Sequence, residues 1–281
     1  MRSRREFLLT WLCVGSFGLS LFAATASAQD KPLVPDKNLE TALKAELKKK
    51  AEEPLKEEDL KNVYFLTAPK KEIADLTGLE KCPNLAELKL SGNKITNVAP
   101  LAGLSNLQSL FLDKNQIVDI APLAKLEKLQ LLWIHENQIE KVDALAGLKK
   151  LSSLNLSKNK IASVEPLAGL EKLAGLELAD NQIESIAPLK GLKWTERLHL
   201  ERNKIADLSP LAAFTELRYT FLVGNPIADF APLIAMAKAD TEGQQRFAPY
   251  WRLYLDESAL NDAAKKQVEE LKKFGVRINP K

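Results

Sequence analysis

The residue numbers of seven asparagines, Asn93, Asn115, Asn137, Asn159, Asn181, Asn203 and Asn225, rise in equal steps of 22 without an insertion. Each is followed at the second position by isoleucine: Ile95, Ile117, Ile139, Ile161, Ile183, Ile205 and Ile227. A chain that repeats at a short fixed period builds one supersecondary unit many times and stacks the copies, because one copy cannot bury its own apolar face. Counting Leu85 as position 1, a unit reads Leu85, Leu88, Leu90, Asn93, Ile95, Val98, Pro100, Leu101 and Leu104. In the Leu-x-Leu segment alternate side chains take opposite faces of a strand, so Leu88 and Leu90 enter a core while Glu87, Lys89 and Ser91 face out. The asparagine breaks the apolar rhythm where the chain turns, and its amide suits backbone groups that would otherwise be buried without partners. Repeated on successive coils, it predicts a structural ladder. Proline precedes the leucine that follows on most coils and stiffens the return path; Ala144 takes its place once.

The pattern resembles the leucine-rich repeat family, and the unit, with its period of 22 and its Asn-x-Ile-x-x-Val-x-Pro-Leu tail, resembles most closely the bacterial internalin type. The resemblance spans about residues 63–238 and implies an α/β solenoid with a curved parallel sheet, closed by a helical N-terminal cap and a helical C-terminal cap. It also implies adhesive recognition, although nothing in the sequence matches the immunoglobulin-like segment or wall anchor of internalins.

Cap sequences are present. Leu39, Leu43 and Leu47 share one helical face after Asp36, the expected N-cap, and a second short helix is expected after Pro54, around Leu55 to Leu60. Carrying the phase backwards places Val63, Leu66, Ile73, Leu76, Leu79 and Cys82 in a degenerate first repeat, with Cys82 in place of a leucine. Beyond residue 238 the phase shifts by 11: Leu253, Leu255 and Leu260 resume the pattern with Ser258 in the asparagine's place. A helix from Asp262 to Phe274 follows, with Ala264, Val268 and Leu271 as its apolar face and Gly275 as its stop. The expected organisation is a signal peptide at 1–28, a linker and helical cap at 29–62, one degenerate and seven regular repeats at 63–238, and a capping repeat with helix at 239–281.

The leader is read from Arg2, Arg4 and Arg5, an apolar run from Phe7 to Ala24, and the small-x-small pattern Ala26-Ser27-Ala28, which places cleavage between Ala28 and Gln29. The run is too short and too rich in Gly and Ser for a span of about 20 apolar residues. Ser3-Arg4-Arg5-Glu6-Phe7-Leu8 resembles the twin-arginine export signal, with an ordinary Sec signal as the alternative. Export to the periplasm or beyond is the expectation. Forty Lys and Arg against 37 Asp and Glu give a net charge of +3, which falls to +1 once the three arginines and one glutamate of residues 1–28 are removed. The charges are interspersed in sequence, so no basic stripe, and no nucleic acid partner, is expected. Two cysteines, one of them in the leader, make no disulfide framework.

Function is then sought on outward positions 3, 5 and 7 of the strands. Phe111, Leu131, Trp133 and His135 cluster on two neighbouring repeats, and Arg197, His199, Tyr219 and Phe221 form a second group. Aromatics beside Arg and His are the composition of interface anchors, which points to a protein partner. Exposed rings also suit sugars, the alternative reading. Trp194 is expected to pack on the return side. Position 7 holds Asp113, His135 and Ser157 on three consecutive repeats, an acid, a base and a nucleophile within reach at about 4.8 Å strand spacing. This hydrolase reading is remote, because nothing supplies a nucleophile elbow or oxyanion hole. The only histidines, His135 and His199, lie about 14 Å apart at that spacing, too far for one zinc. No phosphate-cradling or dinucleotide motif is present, so neither metal nor cofactor is expected.

Overall fold

A computed structural model describes residues 32–281; the expected leader and its cleavage point at Ala28 and Gln29 lie outside the described residues. Helix α1 (Lys37–Glu46) and helix α2 (Glu57–Leu60) precede a single open, parallel sheet whose strands lie side by side in chain order. The first eight of its ten strands are β1 (Phe65–Thr67), β2 (Glu87–Lys89), β3 (Ser109–Phe111), β4 (Leu131–Trp133) and β5 (Ser153–Asn155), then β6 (Gly175–Glu177), β7 (Arg197–His199) and β8 (Tyr219–Phe221). From β1 to β8 each strand pairs with the one a single period further on, so every side chain stacks on its own equivalent. Short 3-10 turns, five of the seven opened by proline at the first or second position, carry the chain back on the other side.

The core is the inside of this coil. Leu88, Leu90, Ile95, Val98, Leu101 and Leu104, and their equivalents in the middle repeats, are fully or almost fully buried. The asparagines close the turn. Asn115 Nδ2 donates to the carbonyls of Leu90 at 3.1 Å, one coil back, and Leu112 at 2.9 Å, while its Oδ1 accepts from Ile95 N–H at 3.0 Å. The same set recurs at Asn137, Asn159, Asn181 and Asn203. Immediately before each asparagine the backbone is left-handed, with φ 56° at Lys114, 54° at Glu136 and 55° at Lys158. Only at Gly92 and Gly224 does glycine fill that position.

Helix α1 packs against β1, and the Asp36 side chain accepts from the N–H groups of Asn38 and Leu39 as its N-cap. Three features of the far end differ from the sequence expectation. Residues Ala231–Glu242 form an α-helix, α3, where another return turn was expected, so the anticipated boundary at 238 falls inside a helix. The Ile-Ala-Met-Ala-Lys-Ala run offers no Gly-Leu break, and the turn propagates. Ser258 is exposed and bonds to Asp256 rather than extending the ladder, which ends at Asn225. After strand β9 (Arg252–Tyr254) and helix α4 (Asp262–Lys273), a short strand β10 (Arg277–Ile278), which the sequence reading did not include, pairs with β9 at the edge.

Candidate binding face

Strand register fixes the outward columns. Position 5 runs Lys89, Phe111, Trp133, Asn155, Glu177, His199, Phe221 and Tyr254; position 3 runs Glu87, Ser109, Leu131, Ser153, Gly175, Arg197, Tyr219 and Arg252. The structure therefore brings the expected groups together. Phe111 and Trp133 meet edge to face, with ring centroids 5.3 Å apart, and Lys89 Nζ lies 5.2 Å above the Phe111 ring. Trp133 remains 37% exposed, with half-buried Leu131 on its own strand.

At position 7, Ser91 donates to Asp113 Oδ1 at 2.6 Å, and Asp113 Oδ2 sits 3.8 Å from His135 Nε2. That separation is beyond a hydrogen bond. His135 Nδ1 is buried without a partner, so Ser157 is not engaged by the imidazole as a triad requires. Among the described residues no three His, Cys, Asp or Glu side chains converge on a metal position. Burial pushes the Cys82 thiol up to about 12, with the charge of Glu80 adding to it, so the thiolate is not available at neutral pH.

Near the C-terminal end the rings form a continuous stack: His199 on Phe221 at 4.0 Å and Phe221 on Tyr254 at 4.3 Å, with nearly parallel planes in both pairs. Glu201 holds His199 Nδ1 at 3.1 Å. Beside it, the Tyr219 ring lies between two guanidinium groups, Arg197 at 5.4 Å and Arg252 at 5.1 Å, and Arg252 Nη1 donates to the Tyr219 hydroxyl at 3.0 Å. Arg252 and Tyr254 were missed as members of this group. The alternation Arg252-Leu253-Tyr254 was the available signal, since the leucine between them was already placed in the core. Trp194 is a correction: it is not packed but 61% exposed, because the buried place beside it is taken by Thr195, whose hydroxyl donates to Leu173 O at 2.8 Å.

Comparison with known proteins matches this architecture. The model of the family of leucine-rich repeats, in its two-copy form, matches residues 105–147 and 149–191. The chain is similar to internalin C2 from Listeria monocytogenes, with 33% identity over 73% of this chain and 93% of that one, and a TM-score of 0.69. It is also similar to the internalin InlF of the same organism, with 25% identity over 91% and 95% of the two chains and a TM-score of 0.56. The ectodomain of a plant membrane receptor kinase from Arabidopsis thaliana, solved in complex with Casparian strip integrity factor 2, shares the fold at 20% identity, with 65% and 24% of the chains covered and a TM-score of 0.56. No curated protein matches the chain by sequence. No helix among the described residues is long and apolar enough to cross a membrane. With its coil, its asparagine ladder and its extended match to internalin C2, the chain belongs to the internalin-type leucine-rich repeat proteins.

Proposed function

We propose that this is an exported, non-enzymatic protein that binds another protein on the outward face of its sheet, with Phe111 and Trp133 as the central anchor. The observation that carries this reading is the exposed Trp133 ring, held edge-on by Phe111 on the outward face of the sheet. A large rigid ring with little rotamer entropy to lose is the kind of side chain that dominates interfaces. A related use of the fold is seen in the plant ectodomain solved with its partner. The second group, Arg197, His199, Tyr219 and Phe221, is a further contact region on the same face. Export rests on the leader residues, with the twin-arginine route supported by Ser3, Arg4, Arg5 and Phe7.

A second reading, glycan binding, draws on the same exposed ring. Affinity capture from the envelope of the source cells, run with wild type and with Trp133→Ala, tests the first reading; a glycan array tests the second. A protein captured by wild type and lost with the variant supports protein binding. A glycan retained by wild type and lost with the variant, with no such protein, replaces it.

A further inference from the structure

Lysines that stand far apart along the sequence are brought together in space. Positions 21 and 22 of each coil lead into the strand and form the flank at the strand N-termini. Successive coils bring them together: Lys128 Nζ donates to Asn106 Oδ1, one coil back, at 2.7 Å. On four consecutive coils position 22 is Lys128, Lys150, Lys172 and Trp194, with Lys149 and Lys193 beside them at position 21. All are exposed, and Trp194, at 61%, is the most exposed large apolar side chain described.

Several lysines on the opposite rim are neutralised by carboxylates. There Lys114 and Lys158 reach Glu136, and Lys204 reaches Glu184; none of the five flank lysines has an ion pair among the described residues. Over these four coils Glu127 and Glu171 share the flank at position 21, so five lysines less two glutamates leave +3, and the next residue at position 22, Glu216, is paired with Arg246. Lys125 and Lys190, just before these rows, add to it. The expectation that interspersed charges exclude a basic stripe is thereby corrected: a fixed period makes neighbours of lysines that stand one full coil apart in the sequence.

A row of lysines without ion pairs, carried on coils stacked about 5 Å apart and ending in an exposed indole, is complementary to a surface with negative charge outside and hydrocarbon just beneath. A single-stranded polyanion would use the lysines but calls for successive stacking platforms, and this flank offers one ring. We propose that the flank docks on an anionic phospholipid bilayer, with Lys128, Lys150 and Lys172 at the headgroups and Trp194 at the interface. None of these residues belongs to the outward sheet face, so this proposal and the protein-binding reading stand or fall separately.

The test is co-sedimentation of the full chain with vesicles of about 30 mol % phosphatidylglycerol in phosphatidylcholine, compared with pure phosphatidylcholine. Arg2, Arg4, Arg5 and the apolar run of residues 7–24 are common to all variants and set the same background for each on anionic and on neutral vesicles, so the reading is the difference between variants. Wild type is expected to bind the anionic vesicles at least tenfold more tightly than the triple variant Lys128→Glu, Lys150→Glu, Lys172→Glu, and to lose that advantage at about 0.5 M salt. Trp194→Ala is expected to weaken binding about fivefold at low salt with the lysines intact. All four side chains are exposed, so melting midpoints should not move; the milder Lys150→Gln, Lys172→Gln pair serves if the triple variant is unstable. Equal retention of wild type and charge variants on anionic vesicles overturns the proposal. So does retention on dextran sulfate without retention on vesicles, which makes the flank a polyanion site.

Discussion

The indole Nε1–H of Trp251 donates to Thr220 Oγ1 at 2.9 Å, and both residues are fully buried inside the last coils. At the position equivalent to Thr220 every regular repeat before it has leucine: Leu88, Leu110, Leu132, Leu154, Leu176 and Leu198. The exchange follows from the change of period. Arg252 pairs with Tyr219 across 33 residues, half as long again as an ordinary coil, and the longer excursion brings in an indole whose buried N–H needs an acceptor that leucine lacks. Thr220→Val keeps the shape but leaves a buried N–H without an acceptor, so it should cost about 1–3 kcal/mol in urea unfolding. In a Trp251→Phe background the same change should cost much less. Equal costs in the two backgrounds would remove the bond from the account of the cap.

The same relationship shows what was legible in advance. Inside the array each coil touches its own equivalent, so tertiary contacts are written into the sequence as a period, and the sheet, the core and the asparagine positions can be read directly. At the ends, contacts join unlike positions at irregular separations. Thr220 and Trp251 are 31 residues apart, and the Asp229 side chain reaches Gln267 on α4. No period signals such pairs, so α3, β10, the exposed Ser258 and the contribution of Arg252 and Tyr254 had to come from the structure. Trp194 was misplaced for a related reason: periodicity says which positions are buried on average, and Thr195 had taken the buried place.

Asn159 donates to Leu156 O at 2.9 Å and Ile134 O at 3.2 Å and accepts from Ile139 N–H at 3.0 Å. Asn159→Ala should lower the unfolding free energy by about 1–3 kcal/mol, since buried groups on two coils lose their partner. The neighbouring Lys158 holds φ 55°, a conformation that costs an ordinary residue about 1 kcal/mol and glycine almost nothing. Lys158→Gly should leave the urea midpoint unchanged or raise it, despite the loss of an exposed pairing with Glu136. A fall in midpoint equal to that of Asn159→Ala would contradict the assignment of stability to the ladder.

Acid should loosen the N-terminal cap first. Burial by itself raises the Asp36 carboxyl, but the N–H groups of Ala74, Leu39, Asp75 and Asn38 together outweigh it and hold the group below its ordinary 3.8. A carboxyl whose pKa is lower in the folded state contributes stability that is complete above the ordinary value and is lost as pH falls through the folded one. Hydrogen exchange in α1 should therefore accelerate, relative to the middle repeats, below about pH 3.8. Asp36→Asn should flatten that dependence while slowing nothing at neutral pH. A variant with the wild-type acid profile would place the sensitivity elsewhere.

Export by the twin-arginine route predicts that Arg4→Lys with Arg5→Lys, which keeps the charge of the leader, sharply reduces the exported fraction, because that signal is read through the guanidinium side chains. A Sec signal needs only the charge. Unchanged fractionation of the double variant assigns the leader to Sec.

Trp133 decides the functional reading. Its ring contacts Phe111 across the strand pair at 5.3 Å and lies against Ser153, yet it makes no contribution to the interior, which is closed beneath it by Leu132 and Ile134. Removing a side chain that is 37% exposed should cost little stability, about 1 kcal/mol or less from the lost ring pair. In a complex the same ring would be fully desolvated, where truncation costs about 2 kcal/mol or more. Trp133→Ala should therefore leave the melting midpoint nearly in place and weaken the partner complex at least about tenfold, one decade being about 1.4 kcal/mol. Thr67→Ala, at the equivalent position of the first strand, should change neither. Isothermal titration against the captured partner reads the affinity, and circular dichroism reads the fold. If Trp133→Ala binds as wild type does, the anchor moves along the sheet to the Arg197, Tyr219 and Arg252 group, whose Arg197→Ala variant then becomes the measurement that locates the interface.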